Sequence, residues 1–171
     1  MKKWTALVLS FVLVLSMAAC SSRDKAYYAL DEALAEKQYS TKVTIGGNDM
    51  ESIVKELNLT NVKTAASISF KKDADKAKTS GFANIYIFKN EADAVTGFAN
   101  ILKVYLSAGL SFNTMESDNG KKAVYQDGNT ALIILTQAGD TVIYSTEYWE
   151  TAPKDGVYEA GLGKILEKIG Y

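Results

Sequence analysis

Histidine is absent from this sequence of 171 residues, and cysteine, proline and arginine occur only once each. These absences exclude zinc sites built from His and Cys, imidazole-based catalytic triads, haem ligation by His and any intramolecular disulfide. The single arginine, Arg23, leaves little capacity for bidentate binding of phosphate groups. A formal net charge of −1 provides no basic surplus for nucleic acid. We therefore expect no metal site, no cofactor and no nucleic-acid partner.

The remaining composition is typical of a globular domain. Hydrophobic residues make up 47% of the chain and charged residues 23%. These proportions exclude collagen-like, low-complexity and extensively disordered chains, and the length favours one domain rather than two.

The N-terminal segment has the pattern of an export signal. Lys2 and Lys3 precede an uncharged, mostly apolar run of sixteen residues at 4–19. As a helix this run would span roughly 24 Å, which is short for a hydrocarbon core of about 30 Å. A positive start, a short apolar run and small residues at its end predict a secretory signal peptide at 1–19.

The end of this run is Met17-Ala18-Ala19-Cys20, which resembles the lipobox of bacterial prolipoproteins. Ala18, Ala19 and Cys20 match the lipobox, whereas Met17 stands where Leu is usual. The resemblance implies cleavage before Cys20, a diacylglyceryl group on its sulfur and anchoring at the extracytoplasmic face of the cell membrane. A lone cysteine in an exported protein is consistent with that modification. The alternatives are a secreted protein with a free Cys20 and an uncleaved anchor.

Residue periodicity predicts the elements of the part that follows. Helical spacing of apolar residues occurs at 24–38, 50–57, 90–109 and 162–169. Strands are predicted at 41–45, 62–71, 82–89, 111–117, 121–126, 130–136 and 141–149. Turn signals at Asn119-Gly120, Asp127-Gly128 and Gly139-Asp140 separate the last four strands, so we expect these to form an antiparallel meander.

This order of elements predicts an α+β fold. We expect a two-layer sandwich, with helices packed on a largely antiparallel sheet that includes the C-terminal four-strand meander. The order at 41–117 is also compatible with a ferredoxin-like βαββαβ core, which the meander would extend. Residues 20–23 are expected to be the lipidated cysteine with a short tether, and 24–171 a single domain. No motif in 21–171 identifies a domain family.

Aromatic and acidic residues coincide near the end of the last strand. Glu147 and Trp149 alternate onto one face of that strand, and Tyr148, Glu150 and Tyr158 are close in sequence. Aromatic anchors with polar neighbours are typical of binding surfaces, so any ligand surface is expected at these five residues. The alternative is that the C-terminal helix folds back over the rings and buries them.

The segment 71–78 contains four lysines and two aspartates. Its surplus of positive charge could contact anionic lipid headgroups or wall polymers, where each lysine contributes about 1 kcal/mol. A solvated loop is the alternative interpretation.

Two classes of function remain. One is a membrane-anchored extracytoplasmic lipoprotein that is not an enzyme and acts as a binding or accessory module for an envelope protein, a peptide, a wall fragment or a small ligand. The other is a carboxylate-based cell-envelope hydrolase that uses Glu147 or Glu150. That chemistry needs two carboxylates in one cleft, roughly 5 to 9.5 Å apart.

Overall fold

The computed structural model describes residues 25–74, 77–117, 120–128 and 130–171. The predicted signal peptide at 1–19, Cys20 and the tether at 20–23 lie outside the described residues. The helices described are α1 (Lys25–Glu36), α2 (Asn48–Glu56), α3 (Glu91–Ser107), α4 (Val157–Ala160) and α5 (Leu162–Lys168). The strands described are β1 (Ser40–Ile45), β2 (Val62–Ala74), β3 (Ala77–Phe88), β4 (Asn113–Ser117), β5 (Gly120–Asp127), β6 (Ala131–Ala138) and β7 (Thr141–Trp149).

All seven described strands form one antiparallel sheet in the order β1-β2-β3-β7-β6-β5-β4. The predicted meander of β4 to β7 is confirmed, and the α+β class with a largely antiparallel sheet is confirmed with it. The sheet is larger than the meander because β7 also pairs with β3, with Ile85 opposite Ile143. The ferredoxin-like alternative is wrong, because that core places its first strand between its third and fourth strands, whereas here β1 pairs with β2 at one edge of the sheet and β4 lies at the opposite edge.

Helices cover both faces of the sheet, so the predicted two-layer sandwich is wrong and the domain has three layers. One face packs against α1, α4 and α5, and the other against α2 and α3. The physical reason lies in the middle of the sheet. Residues 83–88 of β3 and 141–147 of β7 are buried on both faces of the sheet. Strands with buried side chains on both faces require packing elements on each side, because otherwise one row of side chains would be exposed to water.

The first layer is formed by the N-terminal and C-terminal helices together. Leu30 and Leu34 of α1 and Leu162 and Leu166 of α5 are buried against one side of the sheet. Ile134 of β6 is buried in the same cluster. Residues from both ends of the domain thus pack together in one core.

The second layer is dominated by α3, which contacts β3, β6 and β7. Asn90 caps this helix by accepting a hydrogen bond from the backbone N–H of Asp93 at 2.9 Å. Phe98 and Ile101 are buried against the sheet. Gly97 lies directly on the Phe88 ring, where the Cβ of any other residue would overlap the ring.

Candidate functional site

Glu147 lies near the end of β7 and is fully buried, with its side chain beneath the C-terminal helices. The Tyr39 hydroxyl donates a hydrogen bond to its Oε1 at 2.7 Å, and the Leu162 backbone N–H donates to its Oε2 at 2.8 Å. Gly161 is so close to the carboxylate that a Cβ there would overlap it. The side chain therefore joins three segments: the end of β7, the residue before β1 and the first turn of α5.

Burial raises the pKa of the Glu147 carboxyl above its usual value of 4.5, and the donors at Leu162 and Tyr39 act against that rise. Burial and the neighbouring carboxylate also raise the pKa of the Tyr39 hydroxyl, which keeps it a proton donor. The indole nitrogen of Trp149 is buried without a hydrogen bond, yet its proximity also favours the ionised form of Glu147. The hydrogen bonds to Glu147 thus lie inside the packed interior and link its parts.

The hydrolase alternative depended on Glu147 or Glu150. Glu147 is enclosed, with each oxygen bound to an internal donor, so it cannot contact a substrate in this conformation. Glu150 is exposed, and the Lys78 ammonium lies 3.9 Å from its Oε1. One carboxylate lies in the core and the other in solvent, so the two do not share a cleft as glycoside hydrolysis would require.

The aromatic neighbours of Glu147 separate onto opposite faces of the sheet. Trp149 is half-buried against the layer formed by α1, α4 and α5, as the alternative of a folded-back helix predicted. Tyr148 points to the other face, and 52% of its surface is exposed. The five residues predicted to form a ligand surface thus do not lie together, and Tyr148 is the aromatic residue among them that remains open to solvent.

Tyr158 lies in a groove of about 380 Å³ at the other end of the first layer, lined also by Met115, Lys122, Thr136 and Glu167. The Tyr158 hydroxyl donates to Glu167 Oε1 at 2.7 Å and accepts from the Lys122 ammonium at 3.3 Å. Lys122 also donates to the main-chain oxygen of Tyr171 at 3.0 Å, and burial lowers its pKa. The polar side chains of this groove therefore hydrogen-bond to one another and to the main chain. Their role is to hold the surrounding elements together.

A part of the sheet on the side of α2 and α3 remains uncovered by these helices. Strand pairing aligns Lys42 with Ser69 and Ser69 with Phe82, and it aligns Ser80 with Tyr148. Lys42, Ser69, Ser80 and Tyr148 are exposed, and Phe82 is half-buried. We name this area, defined by these five residues, the open sheet face.

The sequence contained part of the signal for the open sheet face. Ser67, Ser69 and Lys71 alternate with buried Ile68 and Phe70, which correctly predicts one polar face on β2. What it did not contain is the pairing of β3 with β7, which joins segments about sixty residues apart and places Tyr148 on the strand next to that of Phe82.

Within 25–74, 77–117, 120–128 and 130–171, no three His, Cys, Asp or Glu side chains are grouped as metal ligands would be. No helix in those same segments is long and apolar enough to cross a membrane. Cys20, the predicted lipidation site, lies outside them.

No protein-family model matches the chain, and no curated protein matches it. Among solved structures, it is similar to the crystal structure of the extracellular domain of PknH from Mycobacterium tuberculosis. The sequence identity is 10%, the likeness covers 87% of this chain and 96% of that chain, and the TM-score is 0.49. This likeness identifies neither a ligand nor a partner.

Proposed function

We propose that this chain is a lipoprotein anchored through Cys20 at the extracytoplasmic face of the cell membrane, and that its domain is a non-catalytic binding or accessory module. The anchor rests on the signal at 1–19 and on its lipobox-like end. A diacylglyceryl group with a further acyl chain holds a protein firmly, because each buried methylene contributes about 0.8 kcal/mol.

The observation that carries the binding role is the open sheet face. On this side of the sheet, helices cover one part and leave the other part open. The open part exposes Tyr148 beside Phe82, so aromatic surface is available to a partner. Glu147, the carboxylate that could have supported catalysis, is used inside the domain instead. A tethered binding module accounts for both features.

The anchor is tested by replacing the cysteine. In cells fed a labelled fatty acid, the wild-type chain is expected to carry label, lose residues 1–19 and remain with the membranes. Cys20→Ala should carry no label and accumulate as precursor or as shed protein, whereas the neighbouring Ser22→Ala should behave as wild type. Equal membrane retention and equal mature mass for wild type and Cys20→Ala would contradict the proposal.

A further inference from the structure

We propose that two copies of this chain pair antiparallel through their β1 edge strands, so that their two seven-stranded sheets become one continuous sheet. This inference goes beyond the proposed function, which names no partner. It depends neither on the open sheet face nor on the anchor.

The outer side of β1 has main-chain groups available for a partner. Its inner side pairs with β2, and the Gly46 N–H donates a hydrogen bond to the main-chain oxygen of Ala65 at 2.8 Å. Bonded and non-bonded residues alternate along an antiparallel pair, so Thr41, Val43 and Ile45 direct their N–H and C=O groups outward. Among the described strands, none lies on that side of β1.

β1 lacks most of the features that keep the edges of sheets from pairing. Its residues, Ser40–Ile45, include no proline, and their register with β2 contains no bulge. The three residues with outward main-chain groups are uncharged and β-branched, which favours extended backbone. Ile45 among them is 53% exposed. The strand is therefore an open template for one more strand.

A second copy fits this template in a symmetric register. With the symmetry axis at Val43, this residue lies opposite Val43 of the second copy, and Thr41 lies opposite Ile45 of the second copy. All of these pairs are of the hydrogen-bonded type, so about six main-chain hydrogen bonds join the two copies. Each Lys42 lies opposite Thr44 of the second copy, so the charge on this strand does not meet its own copy.

The opposite edge of the sheet, β4, is less suited to pairing. By the same alternation it directs the main-chain groups of Thr114 and Glu116 outward, so it has two such residues where β1 has three. One of the two, Glu116, is charged, and charges on an edge strand oppose pairing. The structure thus favours β1 as the edge that pairs.

This geometry agrees with anchoring of both copies in one membrane. The symmetry axis between two antiparallel edge strands is perpendicular to the sheet, so α1 lies on the same side of the joined sheet in both copies. Only residues 21–24 separate Cys20 from the start of α1. One strand pair is a small interface, and confinement to a membrane raises the effective concentration of the two copies.

The test measures energy transfer between donor-labelled and acceptor-labelled copies of the full chain in phosphatidylcholine vesicles. Both labels are attached through Lys103→Cys, an exposed position on α3. We expect more transfer than chains spread at random give at the same surface density, and excess unlabelled chain should remove it. Transfer at the random level would overturn the inference.

Val43→Pro tests which edge pairs. It removes the outward N–H at the symmetry axis and leaves the hydrogen bonds to β2 intact, and proline is tolerated on that side of an edge strand. Pairing should weaken at least about tenfold. The matched control is Thr114→Pro, which makes the same change on β4 and should alter pairing by no more than a factor of about two. Equal losses in the two variants would contradict pairing through β1.

The register is tested at two exposed positions of β1. Thr44→Lys places a lysine opposite Lys42 of the second copy and should weaken pairing at least about threefold, because like charges then lie opposite each other. Adding Lys42→Glu turns these contacts into pairs of opposite charge and should restore pairing to within a factor of about two of wild type. Asp49, which lines the same groove as Thr44, is common to both variants. A double variant that does not recover would overturn the inference, and these exposed substitutions decide it if Val43→Pro fails to fold.

Flotation of the same vesicles tests the anchor separately. A chain that floats but shows no excess transfer refutes the pairing and leaves the anchor standing. A chain that does not float refutes the anchor, and sedimentation in solution then compares the same variants. A wild-type monomer in that measurement would again overturn the pairing.

Discussion

At the scale of single residues, Glu147 is the clearest case of a side chain whose role depends on distant partners. Its hydroxyl donor, Tyr39, is 108 positions away in the sequence. A buried charge is costly unless donors satisfy it, and here a hydroxyl and a helix-start N–H do so. Glu147, which the hydrolase alternative assigned to catalysis, instead holds distant segments of the chain together.

Replacement of Glu147 should separate hydrogen bonding from charge. Glu147→Ala leaves the Tyr39 hydroxyl and the Leu162 N–H without their acceptor, so we expect a loss of roughly 2 to 4 kcal/mol in the free energy of unfolding. Glu147→Gln keeps an oxygen for Leu162 and can donate to Tyr39, and we expect a change within about 1 kcal/mol. Urea unfolding measures both.

The control for this pair is Glu150→Ala, which removes an exposed carboxylate on the same strand end. Its effect should stay within about 0.5 kcal/mol. If Glu147→Ala costs no more than Glu150→Ala, the carboxylate does not hold the C-terminal helices in place.

At the scale of elements, the helices were easier to locate than to place. Apolar spacing predicted α1, α2, α3 and α5 within a few residues, because each has one face to bury. The short α4 was missed, since four residues are too few to show a period. Spacing could not tell which side of the sheet each helix would cover.

Ile134 shows the same limit within a strand. Its neighbours Ile133 and Leu135 are equally apolar, and from the sequence we expect both Ile134 and Phe98 to lie where the long helix packs on the sheet. The structure confirms that both are buried but places them on opposite sides of the sheet. Phe98 lies between α3 and the sheet, whereas Ile134 packs in the cluster with α1 and α5. Strands buried on both faces do not reveal their orientation.

Core truncations should therefore loosen different layers. Phe98→Ala and Ile134→Ala are each expected to cost roughly 2 to 5 kcal/mol, because each removes buried apolar volume. Hydrogen exchange should rise mainly in α3 for the first and mainly in α1 and α5 for the second.

Leu106→Ala is the matched control for Phe98→Ala, because Leu106 is on the same helix and 50% exposed. It should cost under about 1 kcal/mol. If both core variants loosened the same helix, the three-layer arrangement would be contradicted.

At the scale of the whole molecule, global stability should carry a pH dependence from Glu147. Its native pKa is raised above 4.5, so the folded state holds this proton more tightly than the unfolded state does. Well below pH 4.5 the group is neutral in both states, and well above its native pKa it is ionised in both, with the folded state carrying the cost of burial. Its contribution to the free energy of unfolding therefore falls as pH rises through that window.

Comparison with Glu147→Gln isolates this effect. The free energy of unfolding of wild type minus that of Glu147→Gln should decrease as pH rises from about 4 to above the native pKa. Glu36, paired with Lys168, and Glu167, bonded to Tyr158 and Lys164, have lowered pKa values and act in the opposite direction, but they are common to both proteins and cancel. A difference that grows with pH would contradict the assignment.

The sequence by itself determined the properties that depend on composition and on neighbours. The lack of histidine and of a second cysteine excluded whole classes of chemistry, the apolar run at 4–19 predicted export, and local periods and turn signals predicted most helices and the meander. These follow from short-range physics, since a turn or a helix face is encoded within a few residues.

Only the tertiary structure decided which sides of the strands and helices are buried and which are exposed. The pairing of β3 with β7 and the packing of helices on both sides bring together residues far apart in sequence, as in the contact of Tyr39 with Glu147. Side-chain type alone did not separate buried Glu147 from exposed Tyr148 and Glu150, because burial depends on which elements pack above a strand. The five residues predicted as a candidate site therefore divide between the core and the surface, since neighbouring residues of a strand point to opposite faces.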